Sequence, residues 1–203
     1  MPTDVTPNEI PEAELPAYFA TANRFLSKAN DLAQTESRDE VAAAFLYACA
    51  RYNAFAMQAQ GSDPSEASSD FAEFLVSRFA EEVRDHMTET LSSTGAAPQP
   101  GMDPKLAIEV LDEFDSFTEA ERKAFYDLGD AFVDIANAEV QHHKAARISA
   151  AMMHACTRFN VFVIQSFGHA PGMVDPALVT AFATSYRTLL ESHMKEMLIA
   201  PKV

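Results

Sequence analysis

His86 and His193 are each followed three residues later by a glutamate, Glu89 and Glu196, and these four residues form the most metal-like pattern in the chain. On a helix, a separation of three puts both side chains on one face. Two such faces turned together would offer two imidazoles and two carboxylates. Glu139 and His142 have the Glu-x-x-His spacing of di-iron bundles, but they fall at a helix end, and Leu32 and Thr35 stand at the matching places upstream. The pairs His86/Glu89 and His193/Glu196 fall in the last two turns of their helices, where rigid support is poor. Histidine and glutamate on a solvated face are therefore expected there, with no stoichiometric metal and no cofactor.

Arg51 and Arg158 stand out as charges in largely apolar helices. A buried guanidinium needs a carboxylate or several acceptors. The middle of the preceding helix carries Asn23 in one case and Asp130 in the other. The expected arrangement is a structural ion pair of Asp130 with Arg158 and a neutral version of Asn23 with Arg51. The sharper alternative is an arginine lining an anion pocket. Asn53 and Asn160 follow two residues on and are read as buried architecture, satisfied by backbone or by each other. His142-His143-Lys144 reads as a solvated turn, and His154 as a partly buried helix residue. Cys49 and Cys156 are expected as reduced, buried thiols, with a disulfide between them as the alternative.

The elements that carry these residues come in two copies. Val41 to Gln60, VAAAFLYACARYNAFAMQAQ, has no Gly or Pro and is apolar on every side, which predicts a helix buried on most of its faces. Ile148 to Phe167, ISAAMMHACTRFNVFVIQSF, repeats it at an offset of 107 and keeps Ala-Cys-x-Arg-(Tyr/Phe)-Asn-x-Phe. The same offset relates Glu12-Ala13-Glu14 to Glu119-Ala120-Glu121, Phe25 to Phe132, Gly61 to Gly168 and His86-Met87 to His193-Met194, with about twenty identities in all.

Each copy reads as three helices arranged up, down and up around its own central helix. The first runs from about Glu12 to Gln34, with Phe19, Ala22, Leu26, Ala29 and Ala33 on one face. The third runs from about Phe71 to Leu91, capped by Asp70, with Phe71, Phe74, Leu75, Phe79, Val83 and Met87 inward. Ser62 to Ser69 is a loop. Ser92 to Met102 is a linker, after which Asp103-Pro104 opens a short extra helix to about Phe114. Thr118 and Glu121 form a capping box that starts the second copy, whose third helix spans about Pro176 to Ile199. The expected fold is all-α: two pseudo-twofold-related three-helix repeats, 11–91 and 118–199, in one six-helix bundle, with 92–117 as a linker carrying a short helix.

Tyr47-Ala48-Cys49-Ala50-Arg51-Tyr52-Asn53-Ala54-Phe55 resembles the tyrosine- and alanine-rich, Arg-(Phe/Tyr)-Asn-Ala-Phe signature of a family of short bacterial all-helical proteins of unknown function. The second copy departs from it at His154, Thr157 and Val161. The resemblance implies a tandem version of that unit and a dimer-like pairing of the two copies. It implies no activity and no catalytic residue.

Thirty acidic against fifteen basic residues give a net charge of -15, which disfavours phosphate backbones and anionic lipid surfaces. No signal peptide and no membrane-spanning run is expected, so the location is read as cytoplasmic. No phosphate-cradling glycine loop and no nucleophile with a base is legible. The functional expectation is a non-enzymatic binding or assembly role, with a protein partner or small ligand and a homodimer as one form. The alternative is a metal- or small-ligand-binding bundle built on His86, His193 and neighbouring carboxylates.

Overall fold

The second helix of each copy, without a polar face of its own, has to be covered on nearly all sides, and the chain folds so that the opposite copy provides the cover. The computed structural model describes residues 10–59, 68–89, 106–168 and 172–199. The N-terminal arm before Ile10, the helix end at Gly61, the loop around Asp63-Pro64, the linker over 92–102 and the helix start at Asp103-Pro104 lie outside the described residues.

Among the described residues seven α-helices follow in order: α1 (Leu15–Leu32), α2 (Arg38–Ala59), α3 (Ser68–Thr88), α4 (Ala107–Asp112), α5 (Glu119–Glu139), α6 (Ala145–Ser166) and α7 (Pro176–Ile199). No strand occurs among the described residues. Pro16 sits in the first turn of α1, where its missing N–H costs nothing. At α5 the expected capping box forms: Thr118 Oγ1 accepts from the Glu121 amide at 3.3 Å, and the Glu121 carboxylate accepts from the Thr118 amide at 2.7 Å. The α3 helix begins two residues before Asp70, which stands in the first turn and complements the helix dipole rather than capping.

The fold is an all-helical duplicated bundle, and its packing crosses between the copies. The α1 helix lies on α6, and α5 on α2; α7 also packs on α2, and α3 on α6, while α2 and α6 cross each other and α3 runs against α7. Contacts of α2 with α1 and of α6 with α5 are sparse. This corrects the expectation that each copy is a hairpin wrapped around its own central helix. The physical reason lies in the duplication: α2 and α6 present nearly the same surface, so the first and third helices of either copy fit both, and the crossed arrangement buries both central helices at once.

Residues that repeat at the offset of 107 and touch each other mark the pseudo-twofold axis. Phe79 stacks on Tyr186 with ring centroids 4.4 Å apart and planes at 6°. Cys49 and Cys156, both buried and free, meet side chain to side chain. Away from the axis, Phe45 of α2 stacks on Phe132 of α5 at 4.0 Å. A closer approach follows at Gly129, where an added Cβ would lie 3.3 Å from Tyr47 Cδ1. The α1 face that is buried runs through Tyr18, Ala22, Phe25 and Ala29, while Phe19 remains half exposed. The face is rotated slightly from the expected one, keeping Ala22 and Ala29 but taking Tyr18 and Phe25 in place of Phe19 and Leu26, and the rotation follows from α1 packing on α6. Phe74, expected inward, is also partly exposed.

Candidate functional site

Both sequence-predicted histidines are buried, which overturns the solvated face expected for them: His86 is 2% and His193 5% exposed. Crossed packing is the cause. The end of α3 is covered by α6, and the end of α7 by α2. The two histidines do not share a site. His86 meets His154 of α6, with ring centroids 4.7 Å apart. His193 meets Tyr47 of α2 edge-on at 4.8 Å. Tyr47 and His154 are repeat equivalents, so these are two versions of one place in the fold.

In the first version Glu82 and His86 stand one turn apart on α3 and face His154. Glu82 Oε2 lies 3.1 Å from His154 Nδ1 and 3.6 Å from His86 Nε2, and its other oxygen accepts from Arg78 at 2.6 Å. Neither ring nitrogen of His86 has a hydrogen-bond partner. Burial, then the neighbouring His154, lowers the pKa of His86, so the ring is neutral near pH 7. Burial pushes the Glu82 carboxyl up, but the hydrogen bond and charge of His154, with Arg78, outweigh it and hold the group below the usual carboxylate range. Tyr18 of α1 packs on His154 at 5.7 Å and closes the site. Glu89, part of the expected ligand set, is half exposed and takes Arg158 at 3.0 Å.

In the second version the equivalents of Glu82, His154 and Tyr18 are Leu189, Tyr47 and Phe125, so a single imidazole remains. His193 Nδ1 lies 3.4 Å from Glu196 Oε2, which leaves Nε2 buried and unpaired. A cleft of about 360 Å³ opens over it. Tyr47, Phe114, Phe125 and Tyr126 wall one side, with ring contacts of 5.1–6.1 Å among them. Thr184, Thr188 and Glu196 of α7 line the other.

The arginines are not buried. Arg51 pairs with Asp130 at 2.8 Å, both near the surface, and Arg158 pairs with Glu89. The expected Asp130–Arg158 pair is absent because α5 lies on α2, so Asp130 meets Arg51. On the other side Asn23 lines a shallow groove beside Arg24 and Lys28 and offers Arg158 no charge. The asparagines are buried as expected but differ in their bonding. Asn53 Nδ2 donates to the Tyr186 hydroxyl at 2.6 Å, and its Oδ1 accepts from Ser149. Asn160 Nδ2 donates to the Cys156 carbonyl at 3.0 Å.

Glu139 carries a role not foreseen in sequence. It is 2% exposed at the end of α5, where it accepts from Thr21 at 3.0 Å and pairs with Arg24. His143, not His142, is the histidine near it, at 3.6 Å.

The family model described as "Protein of unknown function (DUF3144)" matches the chain twice, over residues 18–93 and 125–198. The chain belongs to that family. Each DUF3144 match spans one of the crossed repeats, so the pairing implied by the resemblance is met within a single chain. A search of curated proteins found no match, and a search of solved structures found none. No helix among the described residues is long and apolar enough to cross a membrane.

Proposed function

We propose that the chain is a non-enzymatic binding protein whose ligand is a small organic ammonium ion held in the cleft over His193. The observation that carries this reading is that the cleft's polar atoms with fixed roles are all acceptors. The hydroxyl protons of Thr184 and Thr188 go to the carbonyls of Thr180 and Thr184 at 2.8 and 3.0 Å, so both oxygens can only accept from a ligand. Glu196 is a carboxylate. It faces His193 Nδ1 at 3.4 Å and can only accept there, while Nε2 of that ring is itself buried.

The aromatic wall supplies ring faces, which attract cations through their quadrupoles. One of those rings, Phe114, already has the Arg122 guanidinium 5.8 Å from its centroid. No lysine or arginine lines the cleft, and the chain's charge of -15 favours cations at long range. The volume is at the small end for ligand pockets, which suits an amine of few heavy atoms.

Calorimetric titration with butylammonium, butanol and butyrate tests the reading. Butylammonium is expected to bind, butanol to bind at least about tenfold more weakly, and butyrate not at all. Glu196→Gln should weaken butylammonium by a similar factor. Equal binding of all three probes, or none by butylammonium at millimolar concentration, removes the proposal.

A further inference from the structure

We propose that Glu82, His86 and His154 together bind one divalent transition-metal ion. Among the described residues this is the one group in which three such side chains each offer a ligand atom with all three atoms within 4.8 Å of one another. Metal–nitrogen and metal–oxygen bonds of 2.0–2.2 Å at tetrahedral angles set ligand atoms roughly 3.4 Å apart. The two separations to Glu82 Oε2, 3.1 and 3.6 Å, bracket that value. Small rotations of two imidazoles complete the triangle.

His86 supplies the independent observation. It is an almost fully buried imidazole with both nitrogens unpartnered, whereas most other buried polar side chains among the described residues have partners. An ion on Nε2 satisfies one nitrogen. The other, Nδ1, faces the Glu89 carboxylate at 3.7 Å, where a carboxylate orients a metal-bound histidine. Arg78 holds the non-ligating oxygen of Glu82, and Tyr18 packs on the ring of His154. Two imidazoles and one carboxylate favour zinc, iron(II) or cobalt(II) over magnesium and calcium, which take oxygen ligands. For His154 to ligate through Nδ1, the nitrogen 3.1 Å from Glu82, its ring proton stands on Nε2.

The expectation of no metal rests on a solvated, poorly supported face at the helix ends, and the metal alternative pairs His86 with His193. The structure separates those two and supplies His154 in place of the second. Duplication also provides an internal control. The equivalent triad is Leu189, His193 and Tyr47, which lacks two of the three ligands, so the expected stoichiometry is one ion per chain.

The test uses the untagged full-length chain, stripped with chelator and titrated with cobalt(II). One equivalent is expected to give the d–d absorption of a tetrahedral or five-coordinate site, and zinc should displace it and raise the melting temperature. His86→Ala and His154→Tyr should abolish the absorption, while His193→Ala keeps it. His154→Tyr installs the residue found at the equivalent position, so the fold accepts it, and circular dichroism checks that. Absence of cobalt binding, two equivalents bound, or equal loss in His193→Ala overturns the site.

Discussion

Arg51 Nη1 donates to Asp130 Oδ1 across 2.8 Å and ties the second helix of the first repeat to the first helix of the second. The pair reports the crossed topology, but it contributes little energy. Its side chains are 47% and 57% exposed, so water and salt screen their attraction. Asp130→Ala is expected to cost at most about 1 kcal/mol. A urea melt showing a loss of about 3 kcal/mol or more, the scale of a broken buried pair, would contradict this.

Asn53 and Asn160 are repeat equivalents with unequal surroundings, and the difference predicts an asymmetric response. Tyr186 and Ser149 satisfy Asn53, whereas Phe79 and Ala42 stand at the corresponding places near Asn160, whose Oδ1 has no partner. Tyr186→Phe removes an acceptor from a fully buried amide and should destabilise by about 1–3 kcal/mol. Stability unchanged by that substitution would mean that the network holds nothing together.

The repeat, the helices and the cap of α5 were legible because each is local: fixed spacing, period, and Thr118 and Glu121 three apart. Crossing was not. Periodicity shows that α2 is apolar all round, but α1 and α5 are both suited to cover it, and no local feature tells a helix which copy to choose. The same gap hid the sites. Spacing pairs His86 with Glu89, whereas its structural neighbour His154 is 68 residues away and sits where the first copy has a tyrosine. The misplaced Asp130–Arg158 pair has the same origin.

Protonation of His193 should weaken both fold and ligand binding. Burial, together with the Arg51 charge, lowers its pKa below the ordinary 6.5, against the opposing pull of Glu196. A depressed folded-state pKa contributes stability that is present above 6.5 and is lost as pH falls through the folded value. The groups facing the ring are Glu196 on its own helix and Tyr47 and Arg51 on α2. The urea midpoint of the parent is expected to fall more between pH 7.5 and 5 than that of His193→Gln. Parallel pH profiles would contradict a buried, neutral His193.

Cys49 and Cys156 should be inert in the folded protein. Both are fully buried, and burial, then the contact with Cys49, pushes the Cys156 thiol well above its ordinary range, so thiolate is scarce. A thiol-specific reagent at pH 8 is expected to label neither residue in native protein and both in urea. Rapid native labelling of one thiol would place the axis nearer to solvent than the structure does.

One repeat alone should not fold as a monomer. In the fragment 1–95, α2 loses α4, α5, α6 and α7, including Phe132 on Phe45 and Cys156 on Cys49, and the surviving contact with α1 is slight. Two fragments can pair and rebuild the crossing with α1 in the place of α5. That substitution sets Ala22 where Gly129 stands, and its methyl would meet the Tyr47 ring at about the 3.3 Å measured for an added Cβ. The homodimer is therefore expected to be weaker than the native pairing, because Tyr47 has to shift to admit it. Sedimentation and circular dichroism should find the fragment either partly unfolded or self-associated. Mixing it with the fragment 106–203 should give a 1:1 complex that melts at a higher temperature than either piece. A monomeric 1–95 fragment with a sharp melt would show that the repeats are independent domains and that the crossing is not what stabilises them.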